Sequence, residues 1–397
     1  MKNPFNGRAL SFDTDAINKT IQRALATAGL DTRSGSMQGV TQTIRRALAA
    51  GRKNQGTPRA DPDVVIDVAA RVVPRPEDAS ARPASKPSSS AAQPQPGSFE
   101  AHEFSNDAGT RAYKLYVPAG TPDGARPIIV MLHGCTQSAD DFAAGTQMNR
   151  LADEHGLLVV YPEQAARANP SKCWNWFKPQ DQRRDAGEPS ILTGIVREVL
   201  ARQAADPRRI FVAGLSAGAA MAVTLGETYS ELFAGVGAHS GLPYGCADDI
   251  PSAMAAMKGG RSGMPGLKNL AAAGHGLRGK AVQAVPVIVF HGDRDHTVRP
   301  SNGALIARQA LEAYEAQAGH PDLQMSTQDG QAGGRRFSRT VYADAQGRAR
   351  IELWTLHGAG HAWSGGNTNG SYADSAGPDA SAEMLRFFLA LPCAGAA

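Results

Sequence analysis

A mostly parallel β-sheet with helices on both faces, the α/β class, is the fold this sequence predicts. Three observations point there. Apolar strand-like runs alternate with helical stretches between residues 112 and 290, the pattern of repeated strand–helix units. Two of those runs, 127–132 and 285–290, are almost continuously apolar, as strands buried on both faces are. Between another strand and an alanine-rich helix lies Gly214-Leu215-Ser216-Ala217-Gly218, a pattern that suits a tight strand-to-helix turn.

From the N-terminus, residues 1–53 read as a basic arm with two repeated amphipathic helices. Ile17, Ile21, Ala24 and Leu25 recur as Val40, Ile44, Ala47 and Leu48, apolar at i, i+4, i+7 and i+8 and so on one helix face. Helices this short are marginal alone. The arm is expected to fold on the rest of the chain, to stay mostly disordered, or to dock on a granule or an anionic surface. Residues 54–97 read as a Pro/Ser/Ala-rich disordered linker. Eight prolines lie between Pro58 and Pro96, and such a composition buries too little surface to offset the entropy of ordering.

Residues 98–397 are expected to form one α/β domain. Strands are predicted at 112–117, 127–132, 157–161, 210–213, 232–238 and 285–290, with helices at 148–155, 191–204 and 217–229. A late strand pair is expected at 336–342 and 349–356, and a closing helix at 382–391. Residues 255–281, rich in Gly, Lys and Arg, read as a polar insertion, either a mobile lip or a long loop.

Charge is divided unevenly. Residues 1–97 hold 14 Lys/Arg and 8 Asp/Glu, and the remainder holds 27 and 29. The overall +4 is too mild to argue for nucleic acid. No stretch of about 18 apolar residues occurs, which excludes a membrane-spanning helix. Met1-Lys2-Asn3-Pro4 is followed by no apolar run, and Asp13 and Asp15 stand where one belongs. The expectation is therefore no secretory leader and a cytoplasmic chain.

The G-x-S-x-G segment carries the chemistry. In a nucleophile elbow the serine hydroxyl projects from the sheet edge, and the helix behind it offers free N–H groups to an oxyanion. A serine hydroxyl needs a general base, and in this architecture the acid and then the histidine follow the serine in chain order. His291-Gly292-Asp293-Arg294-Asp295 follows one strand, and His357-Gly358-Ala359-Gly360-His361 follows a later one. Asp295 is the expected acid with Asp293 as its rival, and His361 the expected base with His357 as its rival. Ala217, after the nucleophile, supplies one oxyanion N–H. Cys135, in the loop His133-Gly134-Cys135-Thr136-Gln137, is expected to supply the second.

Taken together, His133–Gln137, Cys173-Trp174-Asn175-Trp176-Phe177, Gly214–Met221, Ser240-Gly241-Leu242-Pro243-Tyr244, His291–Val298 and Gly360-His361-Ala362-Trp363 resemble the polyhydroxybutyrate depolymerase family of esterases. That family is related to feruloyl and acetylxylan esterases. The resemblance spans roughly residues 100–392. It implies an α/β-hydrolase fold, carboxylic-ester hydrolysis without a cofactor, a Ser216–His361–Asp295 triad, and a polyester or plant-polysaccharide ester as substrate. It also implies an extracellular setting, against the expected lack of a leader.

Four cysteines allow three pairings. Cys135, Cys173 and Cys246 each adjoin a motif loop, and a Cys135–Cys173 bridge bracing the site rim is the favoured pairing. In a reducing compartment they would stay thiols. No C-x₂₋₄-C spacing suggests a metal. Trp174, Trp176 and Trp363 are candidate substrate contacts, with buried loop anchors as the alternative. Besides an esterase, the sequence admits a surface-targeted binding protein of hydrolase fold, or a peptidase or lipase on the same fold.

Overall fold

The computed structural model describes residues 97–120, 124–259, 284–317 and 322–392. The repeated arm, the linker up to residue 96, most of the polar insertion and Cys393 lie outside the described residues.

Ten strands form one sheet. In chain order they are β1 (Ser98–Asn106), β2 (Gly109–Val117), β3 (Arg126–Leu132), β4 (Leu158–Pro162), β5 (Ala205–Leu215), β6 (Gly235–His239), β7 (Val287–Gly292), β8 (Gln324–Ala332), β9 (Arg335–Ala343) and β10 (Ala349–Leu356). Across the sheet the order is β1-β2-β4-β3-β5-β6-β7-β10-β9-β8. From β4 through β3, β5, β6 and β7 to β10 every pairing is parallel. Antiparallel hairpins close both edges: β1–β2 at one, β9–β8 at the other.

The central strands are buried along their whole length because helices cover both faces. Every residue of β3, β4, β6 and β7 is buried. On one face lie α3 (Gly187–Arg202), α4 (Ala217–Thr228), α5 (Ile250–Met257) and α6 (Ser301–Glu315), which share a core with Ile128, Val130, Val212 and Val289. On the other lie α1 (Ala139–Thr146), α2 (Met148–His155) and α7 (Ala380–Leu389), around Ile129, Met131, Phe211 and Phe290. Alternate residues of one strand thus feed opposite cores, which explains the continuous apolar runs.

The differences from expectation have local causes. β1 and β8 are edge strands whose residues are mostly exposed, so they carry little apolar signal. Helix α1 starts at a Ser138 cap that accepts from Asp141 N and has acidic residues in its first turn, but Phe142 is its one large apolar side chain, so its buried face leaves little trace in the sequence. The 15-residue α6 was hidden by a weakly apolar sequence, and α5 by its place beside the polar insertion. The sixth strand begins at Gly235, not 232. Leu232 and Phe233 belong to the turn after α4, where both N–H groups donate to Tyr229 O.

Candidate active site

The five neighbouring parallel strands β3, β5, β6, β7 and β10 end on the same rim. Leu132 pairs with Gly214, Leu215 with His239, His239 with Phe290, and Gly292 with Leu356. The segments that follow therefore converge: 133–137, Ser216, Ser240, 293–295 and 357–361. In open parallel sheets this carboxyl-end rim is where ligands bind.

Ser216 joins β5 directly to α4 with φ 58° and ψ −118°, a backbone conformation costly for any residue with a Cβ. The surrounding structure holds it there. Ser216 N donates to His239 O at 2.9 Å, and the flanking glycines allow backbones to touch. A Cβ on Gly218 would sit 2.1 Å from Leu132 O, and one on Gly214 2.7 Å from the same oxygen. The two glycines thus let the elbow pack against the end of β3. Ala217 is the first residue of α4, so its N–H has no acceptor within the helix.

The four acid and base candidates sort into two pairs. His361 Nδ1 lies 2.7 Å from Asp295 Oδ2, while His357 Nδ1 lies 3.1 Å from Asp293 Oδ2. Their surroundings differ. Asp295 is buried, and its Oδ1 accepts from Thr297 N and Val298 N at 2.9 and 2.8 Å. Burial alone would raise its carboxyl. The bonds from His291, His361 and Val298 outweigh that and hold it well below the usual carboxylate range. Since this carboxylate only accepts, His361 Nδ1 is the donor to it, and in the neutral imidazole the lone pair then stands on Nε2. Asp293 and His357 are over a third exposed. The serine next to His357 is Ser338, 2.9 Å from its Nε2, and Ser338 Oγ already donates to Asp329 Oδ1. Ser338 therefore has no proton to yield to that histidine. Among the described residues no hydrogen bond joins Ser216 Oγ to His361, and such contacts commonly tighten only with substrate.

In the loop after β3 every other N–H is engaged. Gly134 N donates to Gln137 Oε1 at 2.9 Å, Thr136 N to Ser171 O at 2.7 Å and Gln137 N to Gly134 O at 3.4 Å. The N–H of Cys135 alone in 134–137 has no acceptor among the described residues. A Cβ on Gly134 would stand 3.6 Å from Ser216 Cβ, so this turn passes beside the elbow.

Residues 111–319, more than half of the chain, match the family described as esterase PHB depolymerase. The chain belongs to this family. It is 35% identical over 258 residues to a poly(3-hydroxyalkanoate) depolymerase C of Paucimonas lemoignei, an alignment covering 65% of this chain and 60% of that protein. It is 29% identical over 278 residues to a poly(3-hydroxybutyrate) depolymerase of Ralstonia pickettii, covering 66% and 54%. This chain therefore spans little more than half the length of these relatives. A feruloyl esterase B of Neurospora crassa is 34% identical over 151 residues, covering 38% of this chain and 50% of that protein. In structure, an acetyl xylan esterase from Aspergillus awamori superposes with a TM-score of 0.57 at 19% identity, covering 73% of this chain and 99% of that one. The fold is that of α/β-hydrolase esterases.

In this PHB depolymerase-family chain the aromatic loop after β4 serves the site indirectly. Trp174 and Trp363 were candidate substrate contacts, and the structure corrects this. Both rings are fully buried, with the Trp174 indole N–H on His133 O and that of Trp363 on Ser381 Oγ. Neither has a face left for a ligand. Trp176 is also buried, edge-on against Phe177. Trp363 stacks on His239, whose burial drives its pKa down to about 3. His239 Nε2 accepts from Ser364 N, which ties the loop after His361 to the end of β6.

A disulfide joins Cys135 to Cys173 and ties the turn after β3 to the aromatic loop, while Cys246 is buried with no disulfide partner among the described residues. Sequence reasoning missed the residue that organises this loop. Glu188, buried at the start of α3, accepts from Asn175 N, Asn175 Nδ2, Gln164 Nε2 and Arg111 Nη2. It also missed Gln137 and Asp141. Gln137 Nε2 donates to Asp141 Oδ2, Ser371 O and Ser371 Oγ. The only signal was a polar residue inside an otherwise apolar or motif-bearing stretch. Among the described residues no group of three His, Cys, Asp or Glu side chains is placed to hold a metal ion.

Proposed function

We propose that the chain is a serine esterase that hydrolyses carboxylic esters through an acyl-enzyme on Ser216. The observation that carries this reading is the pair of His361 with the buried Asp295, bonded at 2.7 Å on the rim where the strained Ser216 elbow stands. With Nδ1–H donated to Asp295, the Nε2 lone pair of His361 is the base. Ser216 Oγ attacks the carbonyl carbon and gives its proton to Nε2. The oxyanion accepts from Cys135 N–H and Ala217 N–H, two uncommitted donors beside the elbow. His361 then passes the proton to the departing alkoxide, and the acyl group stays on Oγ. Water attacks the acyl carbon with His361 again as base, the proton returns to Ser216 Oγ, and the carboxylic acid leaves.

The proposed substrate class is a hydroxyalkanoate ester, following the alignments to two depolymerases, which cover 65% and 66% of this chain. A feruloyl or acetylated-sugar ester is the second reading, favoured by the match to a feruloyl esterase. A side-by-side assay of hydroxybutyrate oligomer, methyl ferulate, acetylated xylan and nitrophenyl butyrate separates them. Ser216→Ala should lose hydrolysis of all four. Wild-type rates in that variant would refute the esterase reading.

A further inference from the structure

We propose that Tyr372 is a specificity-determining residue that contacts the alcohol portion of the ester. The inference rests on the esterase reading above and deepens it. Tyr372 is one of five large apolar or aromatic side chains that stand exposed among the described residues, at 48%. Its ring meets the His361 imidazole edge-on, at 6.5 Å between centroids and 79° between planes. Of the exposed five, it is the one with a ring contact to a member of the triad.

Its exposure is built rather than loose. Two short strands, β11 (Trp363–Ser364) and β12 (Ala373–Asp374), pair in parallel. One begins two residues after His361 and the other one residue after Tyr372, so the two rings are held in register. Trp363 N donates to Tyr372 O at 2.7 Å. On the other side, Ser371 N donates to Asp141 Oδ1 at 2.8 Å and Ser371 Oγ donates to Asp141 Oδ2. Gln137 reaches the same loop by donating to Ser371 O. At Gly370 a Cβ would stand 2.4 Å from Gly145 N, so the loop lies flat on α1. Tyr372 itself has φ 51°, an uncommon conformation for a residue with a side chain. A pinned backbone carrying a bare aromatic ring is a preorganised contact surface, since little motion remains to be lost on binding.

The side of the ester follows from the proton's path. His361 must hand its proton to the departing alkoxide, so the alcohol portion lies against the imidazole. The ring flanking that imidazole therefore meets the alcohol and not the acyl chain. A flat aromatic surface favours an alcohol portion with an extended C–H or π face close to the ester oxygen over a small one.

The test holds the acyl group constant and varies the alcohol: 2-naphthylmethyl acetate against ethyl acetate, both alkyl esters of similar leaving ability. Tyr372→Ala is expected to lower kcat/KM for the naphthylmethyl ester roughly 3- to 10-fold, mainly through KM, as loss of one aromatic contact would. Ethyl acetate should change less than about twofold, and Tyr372→Phe should keep the wild-type ratio on the same grounds. Equal losses on both esters, or no loss on either, would overturn the proposal. If Tyr372→Ala does not fold, Tyr372→Leu keeps volume without the flat face and carries the same expectation. Ser216→Ala is assayed alongside. An inactive Ser216→Ala with an unchanged ester ratio in Tyr372→Ala overturns the selectivity alone. Retained turnover in Ser216→Ala overturns the esterase reading and this inference with it.

Discussion

Asp295→Asn, set against Asp293→Asn, tests which of the two His–Asp pairs runs the chemistry. The side-chain oxygen of an Asn at 295 must stay on the Oδ1 side, where two backbone N–H groups, of Thr297 and Val298, require an acceptor. That places the new NH₂ at the Oδ2 position, 2.7 Å from His361 Nδ1. Nδ1 must then accept, the imidazole proton moves to Nε2, and the lone pair proposed to take the Ser216 proton is gone. The charge that balanced a protonated His361 is lost as well. In serine hydrolases this change costs up to about 10⁴-fold in kcat, so a fall of roughly 10³- to 10⁴-fold, about 4–5.5 kcal/mol, is expected here. Asp293 is 38% exposed, and an exposed pair is worth about 0–1 kcal/mol. Its Asn variant should keep kcat within about fivefold of wild type. The assay is steady-state hydrolysis of nitrophenyl butyrate, with circular dichroism to verify folding. A loss in Asp293→Asn equal to that in Asp295→Asn would refute the assignment. So would an Asp295→Asn enzyme within tenfold of wild type.

Glu188→Ala strips the buried partner from Arg111 and orphans donors on Asn175 and Gln164. It should destabilise by about 3–5 kcal/mol in urea unfolding. The double variant Arg111→Met/Glu188→Leu should recover part of that while the loop donors stay unpaired; full recovery would show that Glu188 serves Arg111 alone. Asp181 gives a pH signature. Burial, and then the charge of Glu188, push its carboxyl up to about 6. Its folded pKa lies above the unfolded one, so the stability it contributes is complete below about pH 4 and is lost as pH rises through 6. Asp181→Asn, which keeps an acceptor for Glu188 N, should gain on wild type between pH 4.5 and 7.5 when denaturant midpoints are compared. A constant difference across that range would refute the shift.

Much of the fold is legible along the chain because burial on two faces writes itself as unbroken apolar runs. Residues 127–132, 157–161 and 285–290 show this, and they coincide with β3, β4 and β7 to within two residues. The G-x-S-x-G turn is equally legible, since a Cβ at either glycine would collide with backbone. Edge strands β1 and β8 leave no such trace, because most of their residues meet solvent.

What the sequence by itself determined is therefore local: which stretches are strands or helices, where the elbow stands, and a short list of acids, histidines and tryptophans. Only the tertiary structure decided among them. Asp293 and Asp295 are two residues apart, and so the chain offers each to either histidine. Which one meets His361 depends on β10 lying beside β7, with Leu356 opposite Gly292. Burial of Trp174 and Trp363, the unclaimed N–H of Cys135 and the exposure of Tyr372 depend likewise on segments far apart in sequence. Periodicity records the side of an element that faces the core. Partners across loops are set by the order of strands in the sheet, a nonlocal choice that no short window of residues encodes.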